Sequence, residues 1–404
     1  MSAAAFGEAA TLAWAASVVG TTAWASFSAL RDARRARKRR AALASCDARD
    51  VLLVRPCAGR DRNLRAMLQS TAELEDALGL RVVFAVPSES DPACGVAREV
   101  AAELADRGVD AAVEITTTAG PNNKAAQLAT VVARTSPERS FVVVADSDVN
   151  LAGARLAALL APLRADGAVG AAWAAPVEAP GVDATLGDRV SRALLAGSLH
   201  AFPVLAALDK TGLVGKLFAV RRATLERAGG FGALINVLGE DVALASRIRE
   251  LGERVELAPI VARAHVSGRS VATVAARFGR WLTVVRGQRP ALLASYPLLF
   301  SATWPLIALA LVLGTSAVHL GLAAVVLGAR LAVARVAAHV AGVRAPSIAL
   351  VLLADAVLLW ALGRAVSTRR VRWRDRELIL GPRGELLELT SGARSDVSGR
   401  RAAA

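Results

Sequence analysis

Two aspartates, Asp146 and Asp148, stand one residue apart just after a short apolar run at 141–144 and Ala145. Four apolar residues without alternation are the pattern of a strand buried on both faces. Two carboxylates where such a strand reaches a surface loop can hold a hard divalent cation together with a diphosphate. Other chemically capable residues are spread along the chain. Asp91 lies in the loop after a second strand-like run, where a carboxylate can accept hydrogen bonds from a nucleobase. Lys124 opens a helical stretch after Gly120-Pro121, where an ammonium can pair with phosphate oxygens. Glu240-Asp241 follows a glycine-rich turn and precedes a helical run at 242–251. Arg277, Arg280 and Trp281 come last, in RFGRW.

Taken singly, these features have structural alternatives that the residues leave open. Asp146-Ser147-Asp148 suits a turn at a strand end. Glu240-Asp241 suits the cap of the helix that follows. The arginines at 277 and 280 suit contact with lipid headgroups.

The elements that must position these residues have a regular cadence. Strands are expected at 51–54, 82–86, 111–115 and 141–144, with helices at 63–78, 92–106 and 123–133. A strand about every thirty residues with helices between is the rhythm of βαβ units. The expected fold class is therefore α/β, a doubly wound, mostly parallel sheet with ligands at the carboxyl ends of its strands. Further on, a helix is expected at 151–163, extended chain at 168–176 and 212–220, and a helix at 222–228 closed by Gly229-Gly230. The stretch 180–210 is rich in Ala and Leu and yields no clear element.

At 404 residues with 54% hydrophobic side chains, the chain is too apolar for an ordinary soluble protein. Its apolar residues concentrate at the two ends. Residues 9–30 carry no charge and are long enough to cross a bilayer. The basic run RDARRARKRR at 31–40 follows, which favours an uncleaved anchor with its N-terminus outside. Near the other end, 298–314 and 348–362 are the strongest expected spans. The segment 316–340 is weaker because Arg330 and Arg335 interrupt it, and Asp355 is expected to make a polar contact between helices, with a functional group as the alternative. Four crossings would leave RRVRWR at 369–374 outside, against the positive-inside bias, so a re-entrant segment is a second solution. Between these ends, 270–289 places Val271, Val274, Phe278, Trp281, Leu282 and Val285 on one helical face, the pattern of a helix lying in the membrane interface.

The formal charge of +14 does not indicate nucleic acid, because many of the basic residues flank apolar segments and the chain has one Tyr and nine Phe. Cys46, Cys57 and Cys94 form no CxxC and have no His nearby, which is expected of reduced thiols.

Taken in order, Asp91 in SESDPA, Asp146 and Asp148 in DSD, Asp241 in GED, and RFGRW resemble the signature of family-two inverting glycosyltransferases. More narrowly, they are similar to ceramide glucosyltransferases and their bacterial, hopanoid-associated relatives. RPCAGRDRNL at 55–64, GPNNKAAQLA at 120–129, GKLFAVRRATLERAGGF at 215–231 and VRWRDRELIL at 371–380 extend the likeness. It implies a GT-A catalytic domain that uses a UDP-sugar donor and a membrane lipid acceptor. Asp91 would contact the uracil or its ribose, and Lys124 the nucleotide. Asp146 and Asp148 would hold Mn²⁺ or Mg²⁺ against the diphosphate, and Asp241 would be the general base. An in-line displacement at the anomeric carbon needs such a base opposite the leaving group, and a cation to neutralise the departing UDP. Arg277 and Arg280, three apart on a helix, can reach the diphosphate, while Trp281 offers an apolar surface to the sugar or the lipid neck. Glu240 and His265 are candidates for the acceptor side. Two residues depart from the likeness: Val242 stands where an aromatic is common, and Asn150 has no evident role.

The expected organisation is an anchor at 1–30, a basic cytoplasmic linker at 31–49 and a GT-A domain at 50–268. An interfacial helix at 269–290, membrane or re-entrant helices at 291–367, and a basic segment with a disordered tail at 368–404 complete it. The expected location is a bacterial inner membrane with the catalytic domain facing the cytoplasm. The leading expected reaction is transfer of glucose from UDP-glucose to ceramide. The alternatives are transfer of glucose or N-acetylglucosamine to a hopanoid or diacylglycerol, and a processive polysaccharide synthase.

Overall fold

In the computed structural model the described residues are 3–41, 47–75, 77–116, 119–179, 184–196, 202–265, 267–313, 316–368, 370–373, 376–381 and 385–388. Cys46 and the tail expected to be disordered, 389–404, lie outside them.

Eight strands form one sheet: β1 Val51–Pro56, β2 Arg81–Val86, β3 Asp110–Ile115, β4 Phe141–Ala145, β5 Val149–Asn150, β6 Val169–Glu178, β7 Leu217–Arg221 and β8 Arg254–Ala264. Their order is β3-β2-β1-β4-β7-β6-β8-β5. The first four run parallel, as the cadence predicts. β7 then enters antiparallel between β4 and β6, while β6 and β8 run parallel to each other. Alternate residues of the central strands fill opposite faces. Leu52, Val54, Val142 and Val144 belong to one core, and Val51, Leu53, Phe141 and Val143 to the other. Burial on both faces is why these strands read as unbroken apolar runs.

The helices are α1 Ala3–Ala41, α2 Leu64–Gln69, α3 Pro92–Asp106, α4 Asn123–Arg134, α5 Leu156–Ala165, α6 Leu186–Ala196, α7 Phe202–Leu208, α8 Arg222–Arg227 and α9 Glu240–Glu250. They continue with α10 Val271–Gln288, α11 Pro290–Leu293, α12 Thr303–Leu313, α13 Ser316–Ala341 and α14 Ile348–Ser367. Several expectations shift. The helix expected at 63–78 stops at Gln69, followed by one tighter turn, Ser70–Glu73. The helix expected at 151–163 starts only at Leu156. β8 was not anticipated, because its exposure alternates irregularly along eleven residues and Pro259 interrupts it.

Among the described residues, two helical segments are long and apolar enough to cross a membrane, Ala317–Ala341 and Ile348–Ser367. The first was the weaker expectation. Its Arg330 is paired with Asp355 of α14, both almost fully buried, with Arg330 Nε 3.1 Å from Asp355 Oδ2. The charge that weakened one span is thus met by the charge in the next, and Asp355 is a contact between helices. The segment 298–314, expected to be a strong span, falls instead in a helix pair, Pro290–Phe300 and Thr303–Val312, bent by 66° as a broken span or re-entrant loop. The apolar stretch expected to anchor the chain at 9–30 lies within α1. That helix has the length to cross a bilayer but is diluted by Ser, Thr and Gly, and it is not among the segments apolar enough to do so.

α10 corrects another expectation. Its apolar face does not lie open for lipid. Val274, Ala275, Phe278 and Leu282 are buried in the same core as Val333 and Ala337 of α13, Ala354, Leu358 and Ala361 of α14, and Val190 and Leu194 of α6. The C-terminal segment also differs from a purely basic tail. β9 Arg370–Trp373, β10 Arg376–Leu380 and β11 Leu386–Glu388 make an antiparallel sheet. Leu378, Leu380 and Leu386 of this sheet pack with Leu238 and Val284, beside the turn that leads into α9.

Candidate active site

The loop after β4 is held from behind by Arg55, near the end of β1. Its fully buried guanidinium donates to the carbonyls of Met67 at 2.6 Å, Val149 at 2.5 Å and Asp146 at 3.2 Å. Burial pushes Arg55 down to about 10, still well above neutrality. In front, the antiparallel register of β4 and β7 lets the Asp146 N–H donate to the Lys216 carbonyl at 2.9 Å. The loop and the lysine that faces it therefore sit at neighbouring ends of adjacent strands.

Four carboxylates and two ammoniums meet there. Lys124, at the start of α4, lies 2.8 Å from Asp146 Oδ1 and 3.1 Å from Glu240 Oε1, and donates to the Gly215 carbonyl at 2.8 Å. Burial works against its charge, but Asp146 and Glu240 outweigh burial and hold it above the ordinary lysine value. Lys216 Nζ donates to Asp148 Oδ1 at 2.7 Å and Oδ2 at 2.6 Å, and lies 3.1 Å from Asp146 Oδ2. Asp146 is in turn kept below the usual carboxylate range, since Lys124 and Lys216 more than offset its burial.

Asp241 is in the first turn of α9, preceded by Gly239 in the left-handed conformation at φ 75°. Its Oδ2 accepts from the Gly215 N–H at 2.7 Å, and Oδ1 from the Val242 N–H at 2.9 Å. Burial, and next the charge of Glu240, push its carboxyl up to about 6. Glu240, expected on the acceptor side, turns inward instead, to Lys124 and to Asn122 Nδ2 at 3.1 Å.

Asp91 caps α3. Its Oδ1 accepts from Ala93 N and from Gly59 N, each at 2.8 Å, which ties the loop after β1 to the loop after β2. His265 follows β8. Its N–H donates to the Asp148 carbonyl at 3.0 Å, and its Nε2 lies 3.5 Å from Asn150 Nδ2. Burial, then Arg263, hold its imidazole below the ordinary value. Asn150, without a role from sequence, is in β5 and accepts from the Ala152 N–H at 2.8 Å, shaping the turn beyond the aspartates.

The two arginines of RFGRW part company. Arg277 is tied down, 2.8 Å from Glu178 Oε1 and 2.5 Å from Ser191 Oγ, with its guanidinium over the rings of Phe278 and Trp281 at 5.2 and 5.1 Å. Glu178 also takes both nitrogens of Arg269, at 2.9 and 2.8 Å, and these arginines overcome its burial to hold it down to about 2. Arg280 has no ion pair among the described residues, and burial, then Arg277, lower its pKa.. Trp281 stacks edge-on with Phe278 and Phe202, at 5.1 and 6.0 Å.

The structure thus brings together Asp146, Asp148, Lys124, Glu240 and Asp241, sets His265 beside Asp148, and ties Arg277 to Glu178 and Ser191. Sequence reasoning missed Lys216, Asn122 and Glu178. The signal for Lys216 was its place directly after Gly215, in the GKLFAVRR stretch.

Among the described residues, no three His, Cys, Asp or Glu side chains form a complete metal-binding group. The donor chemistry nonetheless fits a hard divalent cation. Two carboxylates share one loop, and the cluster's four carboxylates outnumber its cations even with Arg55 counted. Magnesium-type sites are commonly made of one or two carboxylates completed by phosphate oxygens and water.

A family model described as glycosyl transferase family 21 matches residues 12–386. No curated protein matches the chain. Among solved structures, the chain is similar to a mannosyltransferase from Pyrobaculum calidifontis in complex with GDP-Man and Mn²⁺. The identity is 20% over 89% of this chain and 98% of that one, at a TM-score of 0.49. It is also similar to the glucosyl-3-phosphoglycerate synthase of Mycobacterium tuberculosis in complex with Mn²⁺, UDP-glucose and phosphoglyceric acid. There the identity is 17% over 58% of this chain and 78% of that one, at a TM-score of 0.34.

Proposed function

The chain belongs to glycosyl transferase family 21, and from that premise we propose that it moves one hexose from a UDP-sugar to a hydroxyl of a membrane lipid, with inversion at the anomeric carbon. The observation that carries the reading is the meeting of Asp146, Asp148, Lys124 and Asp241 in one cluster from three separate stretches of chain. Glucose onto ceramide is the leading case.

Asp241 is the general base. Its raised proton affinity suits it to take the acceptor hydroxyl's proton as the oxygen attacks, while leaving it mostly ionised at neutral pH. Lys124 pairs with Asp146, holds the same Gly215 that Asp241 holds, and supplies positive charge toward the diphosphate. Arg280, desolvated and free of a carboxylate among the described residues, is the arginine of the pair available to phosphate oxygens. Arg277 orients the helix that carries it. Asp91 has Oδ2 left to accept from the donor's base or ribose. Asp146 and Asp148 would hold the divalent cation, which would supply charge to stabilise the UDP leaving group.

A lipid acceptor is supported by the shared core of α10, α13 and α14, which joins the helix bearing Arg280 to the two membrane-length helices. The test is to incubate detergent-purified protein with a panel of UDP-sugars and lipids, with and without Mn²⁺. Products are identified by mass spectrometry and their anomeric configuration by NMR. An inverted glycolipid formed only with metal is expected. A product of retained configuration, or none with any lipid, would contradict the reading.

A further inference from the structure

We propose that Lys216 is a displaceable counter-cation of the Asp146/Asp148 site, holding the two carboxylates in place until a divalent cation displaces it, a step that the donor diphosphate favours. The proposal rests on the reading that these aspartates bind the cation.

The two lysines of the cluster are held differently. Lys124 is tied on three sides, by Asp146, Glu240 and the Gly215 carbonyl. Among the described residues, the partners of the Lys216 ammonium are the two aspartates alone. Its backbone is pinned, because the Lys216 carbonyl accepts from Asp146 N. Only the flexible four-carbon stem has to swing. A divalent ion binds carboxylate oxygens at about 2.0–2.6 Å. An ammonium 2.6 and 2.7 Å from those oxygens occupies lone pairs the ion would use and is repelled by its charge, so binding of the ion favours the ammonium's departure.

Once displaced, the ammonium remains within the reach of its stem, where the incoming diphosphate offers new oxygens. Losing the aspartates is therefore offset only when nucleotide is present. Cation and nucleotide then bind with positive coupling, which is reciprocal by linkage. A lysine serving only as a structural ion pair would produce no such coupling.

Mn²⁺ binding to the detergent-solubilised full chain, followed by electron paramagnetic resonance of the free ion, tests this. Without nucleotide, Lys216→Met should bind Mn²⁺ about tenfold or more tightly than the wild type, and Lys216→Arg should stay as weak as the wild type. Adding UDP should tighten Mn²⁺ binding strongly in the wild type and much less in Lys216→Met. Equal or weaker Mn²⁺ binding by Lys216→Met would overturn the proposal while leaving the metal site standing. Absence of Mn²⁺ binding by the wild type and by Lys216→Met, even with UDP, would overturn the metal reading and this proposal with it. A measurement on the wild type does not depend on how the variants fold. Acetylation of Lys216 by an amine-reactive ester, read by mass spectrometry, should rise on adding Mn²⁺ alone while that of Lys124 does not. Unchanged Lys216 labelling at saturating Mn²⁺ would also overturn it.

Discussion

Lys124 and Asp241 grip the same residue, one at its carbonyl and the other at its amide. The Lys124 ammonium donates to the Gly215 carbonyl at 2.8 Å, and the Gly215 N–H donates to Asp241 Oδ2 at 2.7 Å. A Cβ at Gly215 would meet Asp241 Oδ2 and Lys124 Nζ, each at 3.1 Å. That is tighter than ordinary contact, so the two charged groups would have to give way. Gly215→Ala is expected to lower turnover about 10- to 100-fold, as misplacement of reacting groups does, while thermal unfolding stays near the wild-type value. Unchanged turnover would show that this spacing does not matter to the reaction.

The arginines of RFGRW should separate by assay. Arg280→Ala is expected to weaken UDP binding in Mn²⁺ by about 10- to 100-fold, since bonds between charged groups are the strong ones, with little change in unfolding temperature. Arg277→Ala is expected to lower the unfolding temperature, because it removes a partner of the buried Glu178 and the cation over Phe278 and Trp281. Calorimetry and nucleotide titration on both variants decide it. The reverse assignment of effects would contradict the geometry.

The pH dependence follows from Asp241, whose carboxyl is pushed up to about 6. A base must be ionised to accept a proton, so kcat/KM should fall as pH drops through that value and level off above it. A profile flat down to pH ~4, or one still rising above pH ~7, would contradict Asp241 as the base.

Arg330 and Asp355 form a buried pair between α13 and α14. Removing one partner leaves the other charge buried and uncompensated, at a cost of about 3–5 kcal/mol, whereas replacing both with apolar groups is often neutral. Asp355→Leu should therefore lower the unfolding temperature, and the double variant Arg330→Met/Asp355→Leu should recover most of the loss. A double variant no more stable than the single one would show that the pair has another role.

The four parallel strands and the cluster's aspartates were legible because each depends on local pattern. Residues 141–144 read as a buried strand, and the residues after such a strand lie at its carboxyl end. Lys216 was not legible as a partner of Asp148, because their meeting depends on β7 inserting antiparallel beside β4, a long-range pairing with no local signature. Arg330 looks like a defect when its helix is read alone, and although Asp355 is expected to meet a neighbouring helix, that Arg330 is its partner emerges only once α13 and α14 pack. The amphipathic pattern of α10 showed that one face is buried but not what buries it, and the cover is protein. Arg277 and Arg280 share a helix and a motif. Only the position of Glu178, a hundred residues earlier, tells them apart.

The central claim is that one cluster binds the nucleotide-sugar through Asp146, Asp148 and Lys124 and takes the acceptor's proton through Asp241. Asp241→Asn tests it most directly, with transfer and UDP-sugar binding in Mn²⁺ measured on the same preparation. The account predicts that transfer is abolished while the donor still binds with near wild-type affinity. Retained turnover, or loss of donor binding along with transfer, would contradict it.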